Sequence, residues 1–178
     1  MARALVVYES LFGDARTIAQ AIAAGLAEFL PADVVAATAA PAEIGPEVVL
    51  LVVGGPNHAF GMPSPTTRGS AVTDHGAVVP ATRTGLREWL EAVRAPARGL
   101  RAAAFDTRVA GHRVLTRMDH ASRTEEKLLA RLGAEVVSPA EHFSVADTTG
   151  PLVDGEEQRA RGWGRSLAQR LPSGALGR

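Results

Sequence analysis

The sequence predicts an α/β domain, a parallel sheet with helices packed on both faces as a three-layer sandwich. Three observations carry that expectation. Apolar runs of strand length alternate with segments whose apolar residues recur at helical spacing, from Ala4 to Leu171. One run, Val48-Val49-Leu50-Leu51-Val52-Val53, is unbroken, as expected of a strand buried on both faces of a parallel sheet. No internal repeat or linker divides the 178 residues, a length that suits one core. Residues 1–171 are therefore read as a single domain and 172–178 as a frayed tail.

The elements follow in order. Ala4 to Tyr8 is the first strand, and Glu9 to Asp14 is a polar turn with Glu9 at its edge. Ile18, Ile22 and Leu26 then mark a helix. Val34 to Thr38 gives a short second strand, and the prolines and glycine of Ala39–Glu47 leave room for one helical turn before the central strand. Gly54 to Arg68 is a Gly- and Pro-rich loop that small residues extend to Arg83. This insertion, 66–83, is long enough to suggest a functional role. Leu86, Trp89, Leu90 and Val93 return to helical spacing, and Leu100 to Phe105 is the fourth strand. A loop from Asp106 follows, then a helix through Ala121, Glu125, Leu128 and Leu132 that stops at Gly133. Glu135 begins a fifth strand, which Pro139 interrupts and His142–Val145 resumes or pairs beyond. Asp154 and Glu157 resemble a capping box for the last helix, whose apolar face is Ala160, Trp163, Gly164, Leu167, Ala168 and Leu171.

Composition removes several chemistries. The chain has no cysteine, which excludes disulfides, thiolate nucleophiles and Cys-ligated clusters. Lys127 is its one lysine, in a helical segment, so neither a phosphate-loop lysine nor a Schiff base is indicated. No apolar run is long enough to cross a bilayer and the start leads directly into strand residues, so a cytoplasmic protein is expected, without a membrane partner. Aromatics at 4% give no stacking platform for nucleic acid. Ten arginines against five acids between Thr66 and Arg123 are either solvated helix faces or a surface that attracts an anion. The histidines His112 and His120, even with Asp106 or Asp119, lack the close helical spacing of a metalloprotease, and no metal site is assigned.

The loop at the end of the first strand is the natural ligand site, because the next helix turns free N–H groups toward it. Three stretches carry a resemblance: Val6-Val7-Tyr8-Glu9-Ser10 with Phe12-Gly13-Asp14, Val53-Gly54-Gly55-Pro56-Asn57-His58-Ala59-Phe60-Gly61, and Ala104-Phe105-Asp106-Thr107-Arg108. Together they resemble the flavodoxin family, in particular its actinobacterial-type flavodoxin-domain proteins. The resemblance implies a five-stranded parallel sheet of order 2-1-3-4-5 and bound FMN, with the loops after strands one, three and four gathered at one edge.

Carried over residue by residue, it assigns Ser10, Gly13, Asp14 and Ala15 to the FMN phosphate loop. Gly55, Pro56, Asn57, His58 and Phe60 are assigned to the second loop beside the flavin, and Asp106, Thr107 and Arg108 to the third. The phosphate loop departs from the family pattern. Phe12 replaces a hydroxyl position, Asp14 stands where Asn is usual, and Ala15 where Thr or Ser is usual. A carboxylate beside a phosphate is repulsive. Asp14 has a second reading as a helix cap. His58, able to donate a hydrogen bond or exchange a proton near neutral pH, is the catalytic candidate, and a plain loop histidine is the competing reading. Arg108 either meets the flavin's polar edge or pairs with Asp106.

Two functions remain in view. One is an FMN-dependent redox protein, a dedicated oxidoreductase rather than a general electron shuttle, since shuttles of this family are acidic and this chain has zero formal charge. The other is a scaffold without FMN that uses the same cleft for a non-redox reaction or a small anionic ligand. A small-molecule substrate, anionic in the second reading, or a redox partner is expected. Nothing in the sequence chooses between a monomer and a homodimer.

Overall fold

A computed structural model describes residues 1–57, 62–77, 84–95, 99–110 and 121–175. The alternating segments become strands β1 (Arg3–Tyr8), β2 (Ala32–Ala36), β3 (Val48–Pro56), β4 (Arg101–Val109), β5 (Glu135–Val136) and β6 (Glu141–Val145). The helices are α1 (Asp14–Leu26), α2 (Pro65–His75), α3 (Leu86–Ala92), α4 (Ala121–Arg131) and α5 (Glu156–Gln169). All strand pairings between them are parallel, in the order β2-β1-β3-β4-β5, with β6 also on β4. The expected order 2-1-3-4-5 is present with an added strand. β5 meets the beginning of β4 and β6 its end, because Pro139, which cannot donate to a ladder, stands between them.

Side-chain alternation gives the sheet two apolar faces. Ala4, Val6, Leu50, Val52, Ala103, Phe105 and Phe143 pack under α1 and α5. Leu5, Val7, Leu51, Val53, Ala102 and Ala104 pack under α3 and α4. Phe143 meets Phe105 and Trp163 edge-on, each at 6.2 Å between centroids, an arrangement worth about 0.5–1.5 kcal/mol per pair beyond burial. α1 and α5 approach closely because each has a glycine at the crossing. A Cβ on Gly25 would stand 2.1 Å from the Arg161 carbonyl oxygen, and one on Gly164 would stand 2.2 Å from that of Ile22.

β5 and β6 form one edge of the sheet. The outer backbone of β6 is engaged by α5: Glu156 Oε2 accepts the Ser144 N–H at 2.8 Å, and Arg159 donates to the His142 carbonyl. Arg159 also lies 4.4 Å from the centre of the Phe143 ring. Side chains thus occupy groups that another strand would otherwise pair with.

Several expectations need correction. Part of the insertion 66–83 is helical, not loop. Ser64 caps α2 by accepting the Thr67 N–H at 3.2 Å, Thr67 Oγ1 accepts the Ser64 N–H at 2.7 Å, Pro65 opens the helix, and Gly76 at φ 66° ends it. Residues 106–108 belong to β4 rather than to a loop, since β3 and β4 stay paired as far as Pro56 and Thr107. The capping box at Asp154 and Glu157 does not form: Gly155 at φ 87° stands at the cap with no side-chain bond. Within the expected tail 172–178, Ser173–Ala175 make a short 310 turn and 176–178 lie outside the described residues. Among the described residues, no helix is long and apolar enough to cross a membrane.

Candidate functional site

β1 and β3 end side by side, and the Glu9 N–H donates to the Gly54 carbonyl at 3.0 Å. The chain then turns through residues 10–13 into α1. Gly13 makes the turn at φ 104°, a conformation that a side chain would strain, and nothing lies within 4 Å of where its Cβ would be. Ser10 Oγ accepts the Gly13 N–H at 3.1 Å, and the Thr17 N–H and Oγ1 reach the Gly13 carbonyl at 3.0 and 3.3 Å. Leu11 fastens the loop to the insertion by packing with Ala71 and Ala77, Phe12 lying against them.

Between this loop, residues 36–38 at the end of β2, the end of α2 and Thr84-Gly85 is a cleft of about 550 Å³. Tyr8 and Phe12 give it aromatic surface, while Ser10, Gly13 and Arg16 stand on its wall. The first N–H groups of α1 have no acceptor within the helix and form its positive end. Arg16, exposed in the same turn, adds a full charge. The arrangement can hold an anion with an apolar or planar body.

The floor of the cleft is ionic. Glu9 and Arg68 are 7% and 5% exposed. Arg68 Nη1 donates to Glu9 Oε1 and to the Pro63 carbonyl, both at 3.2 Å, and Nη2 donates to Glu88 Oε2 at 3.0 Å. The Leu86 N–H donates to Glu9 Oε2 at 2.8 Å, and the Gly85 N–H to Glu88 Oε2 at 2.8 Å. A Cβ on Gly85 would stand 2.2 Å from Arg68 Nη1, so a side chain there would displace the guanidinium from its present position. Burial pushes the Glu9 carboxyl above the usual glutamate range, against the pull of the Leu86 N–H and of Arg68. Burial also opposes ionisation of Glu88, but the Arg68 and Gly85 hydrogen bonds outweigh it and hold that carboxyl low. No role for Glu9 is legible from its neighbours in the chain. Its partners lie 59 and 77 residues away, and no local pattern marks them.

Of the residues singled out from the sequence, the cleft brings together Ser10 and Gly13. Asp14 does not cap its own helix. Its carboxylate accepts the Leu152 N–H and lies against Gly150, where a Cβ would come within 2.5 Å of it. Burial raises this carboxyl, the Leu152 bond pulling the other way. Ala15 is buried in the core. Gly54 and Gly55 make room for protein: a Cβ would stand 2.3 Å from the Phe105 ring and 3.3 Å from the Glu9 carbonyl, respectively. Pro56 is the last residue of β3, and the Asn57 N–H donates to the Thr107 carbonyl at 2.9 Å. His58 and Phe60 lie outside the described residues, as do His112 and His120.

On β4, Asp106, 1% exposed, takes Arg108 in a two-point ion pair, Nε to Oδ1 at 2.9 Å and Nη2 to Oδ2 at 2.6 Å. His142 Nδ1 from β6 lies 3.0 Å from Asp106 Oδ2 and also touches Arg108 Nη2. Arg108 and Asp106 do form an ion pair, and His142 joins it from outside the predicted set. Thr107 is buried beside them.

No family model matches the chain, and no curated protein matches it in sequence. Solved structures do. Oxidised flavodoxin 2 from Bacillus cereus is 16% identical with a TM-score of 0.64, over 96% of this chain and 100% of that one. The flavodoxin of Streptococcus pneumoniae is 14% identical with a TM-score of 0.62, over 96% and 100%. The fold is that of the flavodoxins. The same fold lies within the rubredoxin oxygen:oxidoreductase of Desulfovibrio gigas, 10% identical with a TM-score of 0.60, of which this chain covers 37% while 99% of its own length is matched.

Proposed function

We propose that this flavodoxin-like chain is an FMN-binding redox protein of the actinobacterial type, acting as a dedicated oxidoreductase on a small molecule or a specific redox partner. The observation that supports this reading is the cleft at the carboxyl edge of the sheet, with the open turn at Gly13, the N-terminus of α1 and Arg16 on one wall. The donor set fits a phosphate. The missing Cβ of Gly13 leaves the backbone approachable, Ser10 keeps its own O–H for donation, and Arg16 supplies the charge that the hydroxyl-poor loop lacks. Asp14, the apparent source of repulsion, turns its carboxylate toward Leu152 and Gly150 instead.

Bound there, FMN would supply the redox chemistry, and the protein would position it, tune it and limit water. Tyr8 and Phe12 would offer apolar surface, and the Arg68 cluster would hold α2 in place as a wall. The zero formal charge of the chain favours a dedicated reaction over a soluble shuttle.

The test is titration of FMN with protein, followed by flavin fluorescence. Quenching that saturates and weakens about tenfold or more in Arg16→Gln supports the reading, since one charge-assisted contact is worth about 1.5–3 kcal/mol. FMN left fully fluorescent at high micromolar protein overturns it. The second reading, a scaffold without flavin, draws on the Thr17 hydroxyl and the Gly13 N–H being used within the loop itself. It is favoured if FMN fails while another phosphate-bearing ligand raises the melting temperature.

A further inference from the structure

Two carboxylates share one guanidinium at the floor of the cleft. With Glu9 and Glu88 both ionised, Arg68 leaves this cluster one negative charge in excess among the described residues. α2 brings Arg68 to Glu9, α3 brings Glu88 and the Leu86 N–H, and β3 brings the uncharged Gly55. Arg16 stands on the wall of the same cleft. Glu9 is the more deeply buried carboxylate, its side chain 7% exposed against 29% for Glu88, and it lines the cavity. Arg16 and Arg68 offset Glu9 and Glu88, so an anion entering this space adds negative charge beside the buried Glu9, and the least costly relief is a proton on that less solvated carboxylate.

We propose that anion binding in this cleft is coupled to uptake of one proton by Glu9, which makes Glu9 the residue that sets how affinity for phosphate-bearing ligands depends on pH. The inference rests on the flavin reading of the cleft. The proton comes from solvent and forms one O–H bond on the Glu9 carboxylate, leaving Arg68 to balance Glu88; no other bond changes. Burial already raises Glu9 while Glu88 is held low, the separation that assigns the proton to one member of a pair. Linkage then fixes the sign. Affinity for an anion falls as pH rises, by up to about tenfold per pH unit between the Glu9 pKa of the free and of the loaded protein.

The test compares FMN with riboflavin, which lacks the phosphate, by fluorescence titration of the wild type and Glu9→Gln from about pH 5 to pH 8. Calorimetry in two buffers of different ionisation enthalpy counts the protons taken up. Wild type should lose FMN affinity with rising pH beyond the ligand's own phosphate titration, while Glu9→Gln loses that component and binds FMN more tightly at the alkaline end. Riboflavin should show no Glu9-dependent slope. Glu88→Gln leaves Arg68 to pair with Glu9 alone, which should hold Glu9 ionised and flatten the FMN slope too, so the proposal stays testable if Glu9→Gln fails to fold. Equal slopes in wild type and variants overturn the inference alone, as does a Glu9→Gln protein that weakens both ligands equally at every pH. FMN that goes unquenched at any pH in all three proteins overturns the flavin reading, and this inference with it.

Discussion

Two glycines on one helix make opposite predictions. Gly162 is exposed on α5 with nothing within 4 Å of its absent Cβ, whereas a Cβ on Gly164 would stand 2.2 Å from the Ile22 carbonyl oxygen of α1. Replacing either by alanine gains helix propensity of about 1 kcal/mol. At Gly162 that gain is unopposed, so Gly162→Ala should stabilise by roughly 0.5–1 kcal/mol. At Gly164 the contact must lengthen by more than 1 Å, on the order of the gap between 2.2 Å and the shortest ordinary Cβ contacts. The obstacle is backbone, so the helices must separate and loosen Trp163 and Leu167 against α1. Overpacking of this kind costs about 1–3 kcal/mol and at times more. The propensity gain offsets only part of it, and the expected net is a loss of about 1–2 kcal/mol or more. Gly25→Ala, whose Cβ would stand 2.1 Å from the Arg161 carbonyl oxygen, should behave alike. The double variant should cost less than the sum, because one separation relieves both contacts. Urea denaturation of the wild type and these four variants measures this. A Gly164→Ala protein as stable as Gly162→Ala would refute the close helix crossing.

Two further predictions concern charge. Hydrogen bonds from Arg165 and Arg161 hold the Glu28 carboxyl down to about 2. A lowered carboxyl adds stability above its unfolded pKa, so Glu28→Gln should melt below wild type at neutral pH, and the gap should close as pH falls from about 4.5 toward 2. A gap constant with pH in thermal melts would contradict the pairing. Asp14 has the opposite sign. Its raised carboxyl favours folding below the ordinary 3.8, and that contribution is lost as pH rises through the folded pKa. Asp14→Asn keeps an oxygen for the Leu152 N–H without the partly desolvated charge, so it should melt no lower than wild type at pH 7, the two converging in acid. A loss above about 1 kcal/mol at pH 7 would restore a helix cap.

Features written in local periodicity were readable from the sequence. The run Val48–Val53 became the first two thirds of β3, and the spacing of Ala160, Trp163, Leu167 and Leu171 became the buried face of α5 and its end. Features made by distant residues were not. Glu9 and Arg68 meet only after the insertion folds back over the first loop. α2 is hard to read because its small, polar residues lack an apolar stripe, although Ser64-Pro65 with Thr67 and the stop at Gly76 mark its ends. The end of β4 is hidden because Asp106, Thr107 and Arg108 look like loop residues. Continued as a strand, Asp106 and Arg108 fall two apart on one face, which is where their ion pair forms. At Asp14 residue preference pointed to a cap, and the chain around Gly150 drew the carboxylate away.

The engagement of β6 by α5 also has a meaning in time. Synthesis runs from the N-terminus, so β6 leaves the ribosome before the helix that occupies its outer backbone. Ser144 and its acceptor Glu156 are 12 residues apart, and His142 and Arg159 are 17. The outermost strand and its cover therefore emerge almost together, at about 5–20 residues per second. The interval in which a neighbouring nascent chain could add to that strand is on the order of one second, so the order of the sequence itself limits mispairing during synthesis.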